Sequence, residues 1–132
     1  MVNISDKHEL QRVLVSLRQR VNDVEGCSIV SRDGLVIASE LMADVDTKTF
    51  AALSADVTRS GEIVVSELRI GALSQIIIGS TGSNIITTNI GKKAILVCMV
   101  HKNANMGFVL LHMNRSADYL EKVLGKVGYE YN

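Results

Sequence analysis

The apolar positions Leu10, Val13, Leu14, Leu17, Val21 and Val24 recur at three- and four-residue intervals, while His8, Glu9, Arg12, Arg18, Gln19 and Asn22 fall mostly on the opposite side. That rhythm is the period of an amphipathic helix. Ser5 or Asp6 can cap its first amides and Gly26 can end it, so a first helix is predicted over residues 6 to 24. Two β-rich runs follow, Cys27–Arg32 and Leu35–Glu40, on either side of Asp33-Gly34. This dipeptide readily takes positive φ, so the pair reads as a hairpin with a tight turn.

After a loop over Met42–Asp46, Asp46 or Thr47 can cap a second helix that carries Phe50, Leu53, Val57, Val64 and Leu68 on one side. Local preference is divided within it, because Ile63-Val64-Val65 favours a strand and Gly61 weakens a helix by about 1 kcal/mol. The helical spacing nevertheless runs without a phase break from Phe50 to Leu68, and the period predicts one long helix. Beyond Gly71 the pattern becomes three extended runs, Ser74–Ser80, Asn84–Ile90 and Ala94–His101. Thr81-Gly82-Ser83 and Gly91-Lys92-Lys93 separate them, as in an antiparallel meander. The last run is apolar almost throughout and belongs at the centre of a sheet, whereas the mixed Ser74–Ser80 run suits an edge. Asn105 then caps a final helix to Leu124, with Val109, Leu110, Met113, Ala117, Leu120 and Leu124 roughly on one face. The order is αββαβββα, an α+β domain whose antiparallel sheet has helices on both sides.

Composition narrows the function. The 132 residues carry 14 basic and 14 acidic side chains, so no global field draws in a polyanion, and nucleic acid is not expected as a partner. The longest clean apolar run, Ala94–Val100, is far short of a membrane span. The first residues lack the basic and apolar regions of a secretory signal, and a cytoplasmic location is expected. Cys27 and Cys98 stand apart from any CxxC or Cys/His cluster and read as buried small hydrophobes, with a redox pair as the alternative. The sequons at Asn3 and Asn114 carry no meaning without secretion.

No set of base, nucleophile and oxyanion stabiliser emerges. His8, His101 and His112 have no carboxylate or thiol at a telling interval, and no HxxxH, HExxH or paired CxxC offers a metal site. Gly91-Lys92-Lys93 is not a phosphate loop, since Ile86 stands where the leading glycine belongs and no helix follows. Gly79–Ser83 lies between two strands and reads as a plain turn. Charge is unevenly placed, however: no acidic residue occurs between Glu67 and Asp118, a stretch that contains Arg69, Lys92, Lys93, Lys102 and Arg115. Either a few solvated cations decorate a mostly buried segment or they form a docking patch for an acidic partner. The second helix holds a further anomaly, because Ala52 and Ile63 point away from its main apolar stripe. They are either scattered surface apolars or part of a seam with a second copy, in which the third strand pairs with its twin.

Two stretches carry a family resemblance: Asp33-Gly34-Leu35-Val36-Ile37-Ala38-Ser39 in the hairpin, and Lys102-Asn103-Ala104-Asn105-Met106-Gly107-Phe108-Val109-Leu110-Leu111 at the start of the last helix. With the element order, over nearly the whole length, the chain resembles the Roadblock (dynein light chain 7) and MglB family. The resemblance implies a single domain over residues 1–132, with a profilin-like five-stranded sheet in the order 2-1-5-4-3, one helix on one face and two on the other. It also implies homodimers joined through the second helix and third strand, placing a seam at Ala52, Arg59, Ile63, Gln75, Ile77 and Gly79. Arg69, Lys92 and Lys93 become candidate docking positions.

Members of the family regulate or scaffold Ras-like small GTPases, and some serve as light chains of cytoplasmic motors. Proteins similar to MglB stimulate hydrolysis by acting on the GTPase's own machinery. Arg32, Arg59, Arg69 and Arg115 are candidates for such a role by charge alone. None matches a family catalytic position, so no catalytic, cofactor or metal residue is assigned. The expected function is a non-catalytic homodimer that binds a Ras-like GTPase and modulates its nucleotide state. The alternative is a structural adaptor with no GTPase preference. A small-molecule sensor is the third class, disfavoured because no polar cluster stands out to orient a ligand.

Overall fold

The structure is a computed structural model that describes residues 4–126; the two ends of the predicted domain lie outside the described residues. Its elements follow the predicted order: α1 (Ile4–Arg20), β1 (Val24–Ser31), β2 (Val36–Glu40), α2 (Thr47–Leu68), β3 (Gln75–Ile78), β4 (Ser83–Ile90), β5 (Ala94–His101) and α3 (Met106–Lys126). The five strands form one antiparallel sheet in the order β2-β1-β5-β4-β3. The apolar run Ala94–His101 therefore occupies the centre, and the mixed run forms an edge strand of four residues.

Alternation along the strands sorts the core into two layers. Leu96, Cys98 and Val100 of β5 and Ile86 and Ile90 of β4 join Leu10, Leu14 and Leu17 of α1 and Val109, Met113 and Leu120 of α3 in the larger core. The intervening Ile95 and Val97 face the other way, onto Val30 of β1 and Ala51 and Ala55 of α2, in a much smaller core. Two helices thus cover one face and one helix the other. Cys27 and Cys98 are register partners across β1 and β5, both wholly buried and free. Their mutual hydrogen bond and burial push the Cys98 thiol well above its usual pKa.

The hairpin closes as expected. Gly34 takes φ +86°, its N–H donates to Ser31 O at 3.0 Å, and the Ser31 N–H donates to Leu35 O at 2.9 Å. A Cβ at position 34 would stand 3.2 Å from Ala52 Cα, so glycine is needed both for the turn and for the approach of α2. The first helix is shorter than predicted, ending at Arg20. Val21 and Val24 keep their place in the core, but Val24 does so as the first residue of β1. Helical and extended segments in succession preserved the apolar phase there.

Candidate functional site

The second helix forms without interruption from Thr47 to Leu68, despite the β-branched run and Gly61. Asp46 caps it by accepting from Lys48 N at 3.0 Å and Thr49 N at 3.2 Å. The Thr49 amide bond, with help from that of Lys48, holds the Asp46 carboxyl below its usual pKa. At the other end Arg69 takes the left-handed conformation (φ 54°, ψ 43°), where its N–H bonds Ser66 O and the Ile70 N–H bonds Val65 O. Gly61 lies where the edge strand crosses: a Cβ there would sit 2.7 Å from Ile76 Cδ1, so the glycine lets β3 pack against the helix.

The orientation of this helix corrects the sequence reading. Within the stripe Phe50, Leu53, Val57, Val64, Leu68, Phe50 packs against the small core, but Leu53 is 61% exposed, Val64 53% and Leu68 64%. The buried residues are Ala51, Ser54, Ala55 and Thr58, spaced i, i+3, i+4, i+7. Small side chains let the helix approach Val30, Ile95 and Val97 closely. The two hydroxyls satisfy themselves on the preceding turn, Ser54 Oγ donating to Phe50 O at 2.7 Å and Thr58 Oγ1 to Ser54 O at 2.9 Å. A polar-looking face can therefore be buried at little cost. The large apolar side chains are turned outward.

That outward flank lies beside the sheet edge. Phe50, Leu53 and Val57 of α2 and Ile78 and Ile85 of β3 and β4 line an open, mostly apolar groove of about 470 Å³. Val64 and Leu68 extend the same flank by the i+4 rule. Ile77 and Ile78 of β3 are 46% and 41% exposed, and among the described residues one side of the β3 backbone has no strand neighbour. A helix flank, a groove and an unpaired strand edge together make a continuous apolar surface of the kind that marks an interaction site.

The sequence-predicted seam residues divide around this surface. Ile77 shares a sheet face with its register partner Ile86, as Gln75 does with Thr88, on the α1–α3 side, and Gly79 is exposed just beyond β3. Ile63, four residues after Arg59 and eleven after Ala52, is exposed on the same side of α2 as both. Ala52 lies against the Gly34 turn, and Arg59 Nη1 reaches Arg32 O at 3.5 Å, so these two occupy the hairpin side of α2, away from β3. The signal that could have found the true outer flank is the complementary stripe of small residues, which marks the side of closest approach.

The arginines separate as clearly. Arg32 is tied to Glu62 at 2.6 Å and to Asn89 Oδ1 at 3.2 Å, clamping the β1–β2 turn to α2 and β4. Arg59 pairs with Asp56 one helical turn away. Arg69 ends α2, Lys92 and Lys93 are exposed in the β4–β5 turn, and Arg115 lies on α3 at the opposite face of the sheet. Among the described residues no group of three His, Cys, Asp or Glu side chains could hold a metal ion, and no helix is long and apolar enough to cross a membrane.

An antiparallel sheet in the order β2-β1-β5-β4-β3, with two helices on one face and one on the other, defines the fold class, and comparison with known proteins gives the family. The Roadblock/LC7 domain model matches residues 10–99, and the chain belongs to the Roadblock/LC7 family. It is 31% identical over 112 residues, 85% of this chain and 93% of the other, to the uncharacterized protein MJ0714 of Methanocaldococcus jannaschii. Among solved structures it superposes on an MglB with a tetrameric arrangement at a TM-score of 0.85, with 18% identity over 96% of this chain and 95% of that one. The gliding protein MglB of Thermus thermophilus gives 0.84, with 17% identity over 96% of each chain. At these identities the two structures speak for the fold alone.

Proposed function

We propose that this protein is a non-catalytic homodimer that joins through α2 and β3 and presents the joined surface to a Ras-like small GTPase, modulating its nucleotide state by binding one switch conformation more tightly than the other. The observation that carries the reading is the outward apolar flank of α2 beside the unpaired edge of β3. Pairing β3 with β3 of a second copy removes both edges at once and covers Leu53, Val64 and Leu68. The tetrameric MglB is a structural neighbour that associates with itself. Gln75, Ile77 and Gly79 stay in the proposed seam. Ala52, Arg59 and Ile63 flank it from the hairpin side of α2.

Arg69, at the end of the apolar flank, is the docking cation best placed to meet a partner on this surface, with Lys92 and Lys93 at the end of the sheet where β3 begins. Arg32 and Arg59, both held in ion pairs, are poor candidates for insertion into a GTPase site, which supports regulation by selective binding. The test is titration of the protein with Ras-like GTPases of its own organism, loaded with GDP or with a non-hydrolysable GTP analogue. A clear difference in affinity between the two states is expected. Equal affinity would assign the protein to structural adaptors, and no binding to any of them would remove the GTPase reading.

A further inference from the structure

On the sheet face opposite α2, the two terminal helices enclose a groove of about 280 Å³. Two helical rows face each other across it: Arg12, Ser16 and Arg20 at i, i+4, i+8 on α1, and His112, Arg115 and Tyr119 at i, i+3, i+7 on α3. Val13 and Leu17 form part of its lining, and Ser116 adds another hydroxyl. Among the described residues no Asp or Glu lines the groove. The nearest carboxylate partner, Glu9, is already engaged: Arg12 holds both its oxygens at 2.7 Å and the Tyr119 hydroxyl donates to it. These bonds, the Arg12 pair first, bring the Glu9 carboxyl down to about 2, so it remains the fixed anchor of that end.

The other two guanidiniums have no such partner. Among the described residues neither Arg20 nor Arg115 forms an ion pair or hydrogen bond. Arg20 is in the last turn of α1, where the helix dipole favours a cation. That account does not extend to Arg115, in the body of α3. Three guanidiniums against one engaged carboxylate leave a surplus of two positive charges.

We propose that the α1–α3 groove is a binding site for a small phosphoryl anion of pyrophosphate size, gripped by the guanidiniums of Arg20 and Arg115 and bordered by Arg12, Tyr119 and the two serine hydroxyls. The lining supplies donors in planar forks, the geometry that matches phosphoryl oxygens two at a time. The groove, about 280 Å³, has room for a pyrophosphate together with part of its hydration shell. The rows extend over ~12 Å, which favours a compact ligand over a long acidic peptide. The site is independent of the α2–β3 surface, on the other side of the sheet.

The test is calorimetric titration of sodium pyrophosphate into the full chain at fixed ionic strength. Saturable binding at one site per chain is expected. Arg20→Ala and Arg115→Ala, both at exposed positions, should each weaken it by about tenfold or more. Arg115→Lys should give an intermediate loss, because the charge stays and the fork goes. Lys48→Ala, which removes a cation at the start of α2, should leave binding unchanged. Absence of saturable binding to the wild type would overturn the assignment, as would a loss in the lysine variant equal to that in Arg115→Ala. Tighter binding of a hexaglutamate peptide than of pyrophosphate would overturn it too, in favour of a peptide-docking groove.

Discussion

Replacing Leu53 with Asp separates the stability of the single chain from that of the proposed dimer. Leu53 is 61% exposed, on the flank of α2 that borders the groove beside β3. Full burial of a leucine contributes about 1.5–3 kcal/mol, so covering the exposed part contributes about 1–2 kcal/mol in each copy. A twofold seam counts it twice, so losing both costs about 2–4 kcal/mol, and a desolvated carboxylate adds to that. The dimer should weaken by roughly 30- to 700-fold or more. The monomer should barely respond, since surface substitutions away from special features stay within about 0.5 kcal/mol. Sedimentation equilibrium should therefore find the wild type at twice the chain mass of 14.3 kDa and the variant shifted towards a single chain, with the same circular dichroism and urea midpoint. Ile63→Asp, further round the helix, should act in the same direction. A Leu53→Asp variant that stays dimeric, or one that loses its fold, would refute the orientation of α2 on which this reasoning rests.

Other outcomes follow from the same structure. Gly34→Ala forces a side chain into positive φ and towards Ala52 Cα, so it should cost about 1–3 kcal/mol in chemical denaturation. Asp46→Ala should lower the urea midpoint at neutral pH. The folded-state pKa of Asp46 lies below its ordinary value of 3.8, so its contribution is full above that value and is lost as pH falls through the lower folded one. Wild type and variant should therefore converge in strong acid. Cys27 and Cys98, both wholly buried, should resist Ellman's reagent at neutral pH and react only at the rate of unfolding, whereas fast labelling in native buffer would show that the β1–β5 core opens readily.

Much of this fold could be read from residue order alone. Asp46 and Asn105 cap the helices they were expected to cap: the Asn105 side chain accepts from Phe108 N at 3.2 Å, and its carbonyl from Val109 N at 3.1 Å. The continuous apolar β5 took the centre of the sheet because both its faces are covered. The 3.6-residue period outweighed the strand preference of Ile63-Val64-Val65, as one helix spans them.

The side on which that helix rests was not legible. Periodicity shows that the two sides differ, but the inference that the greasier one is buried presumes a self-sufficient domain. Here Ala51 and Ala55 fit under the sheet where Leu53 and Leu68 would not, and back-bonded Ser54 and Thr58 make the small face apolar in practice. The α1–α3 groove was hidden for a different reason. Arg20 and Arg115 belong to opposite ends of the chain, and only the packing of the terminal helices on one face of the sheet brings them together.

The most direct test of the paired edge is amide hydrogen exchange across β3 as a function of protein concentration. In a lone chain the amides of Gln75–Ile78 that do not bond to β4 point into solvent. These amides should become protected as concentration rises, in step with the growth of the dimer mass, and Leu53→Asp should abolish the protection. Rapid exchange at those amides in a solution shown to be fully dimeric would contradict the pairing.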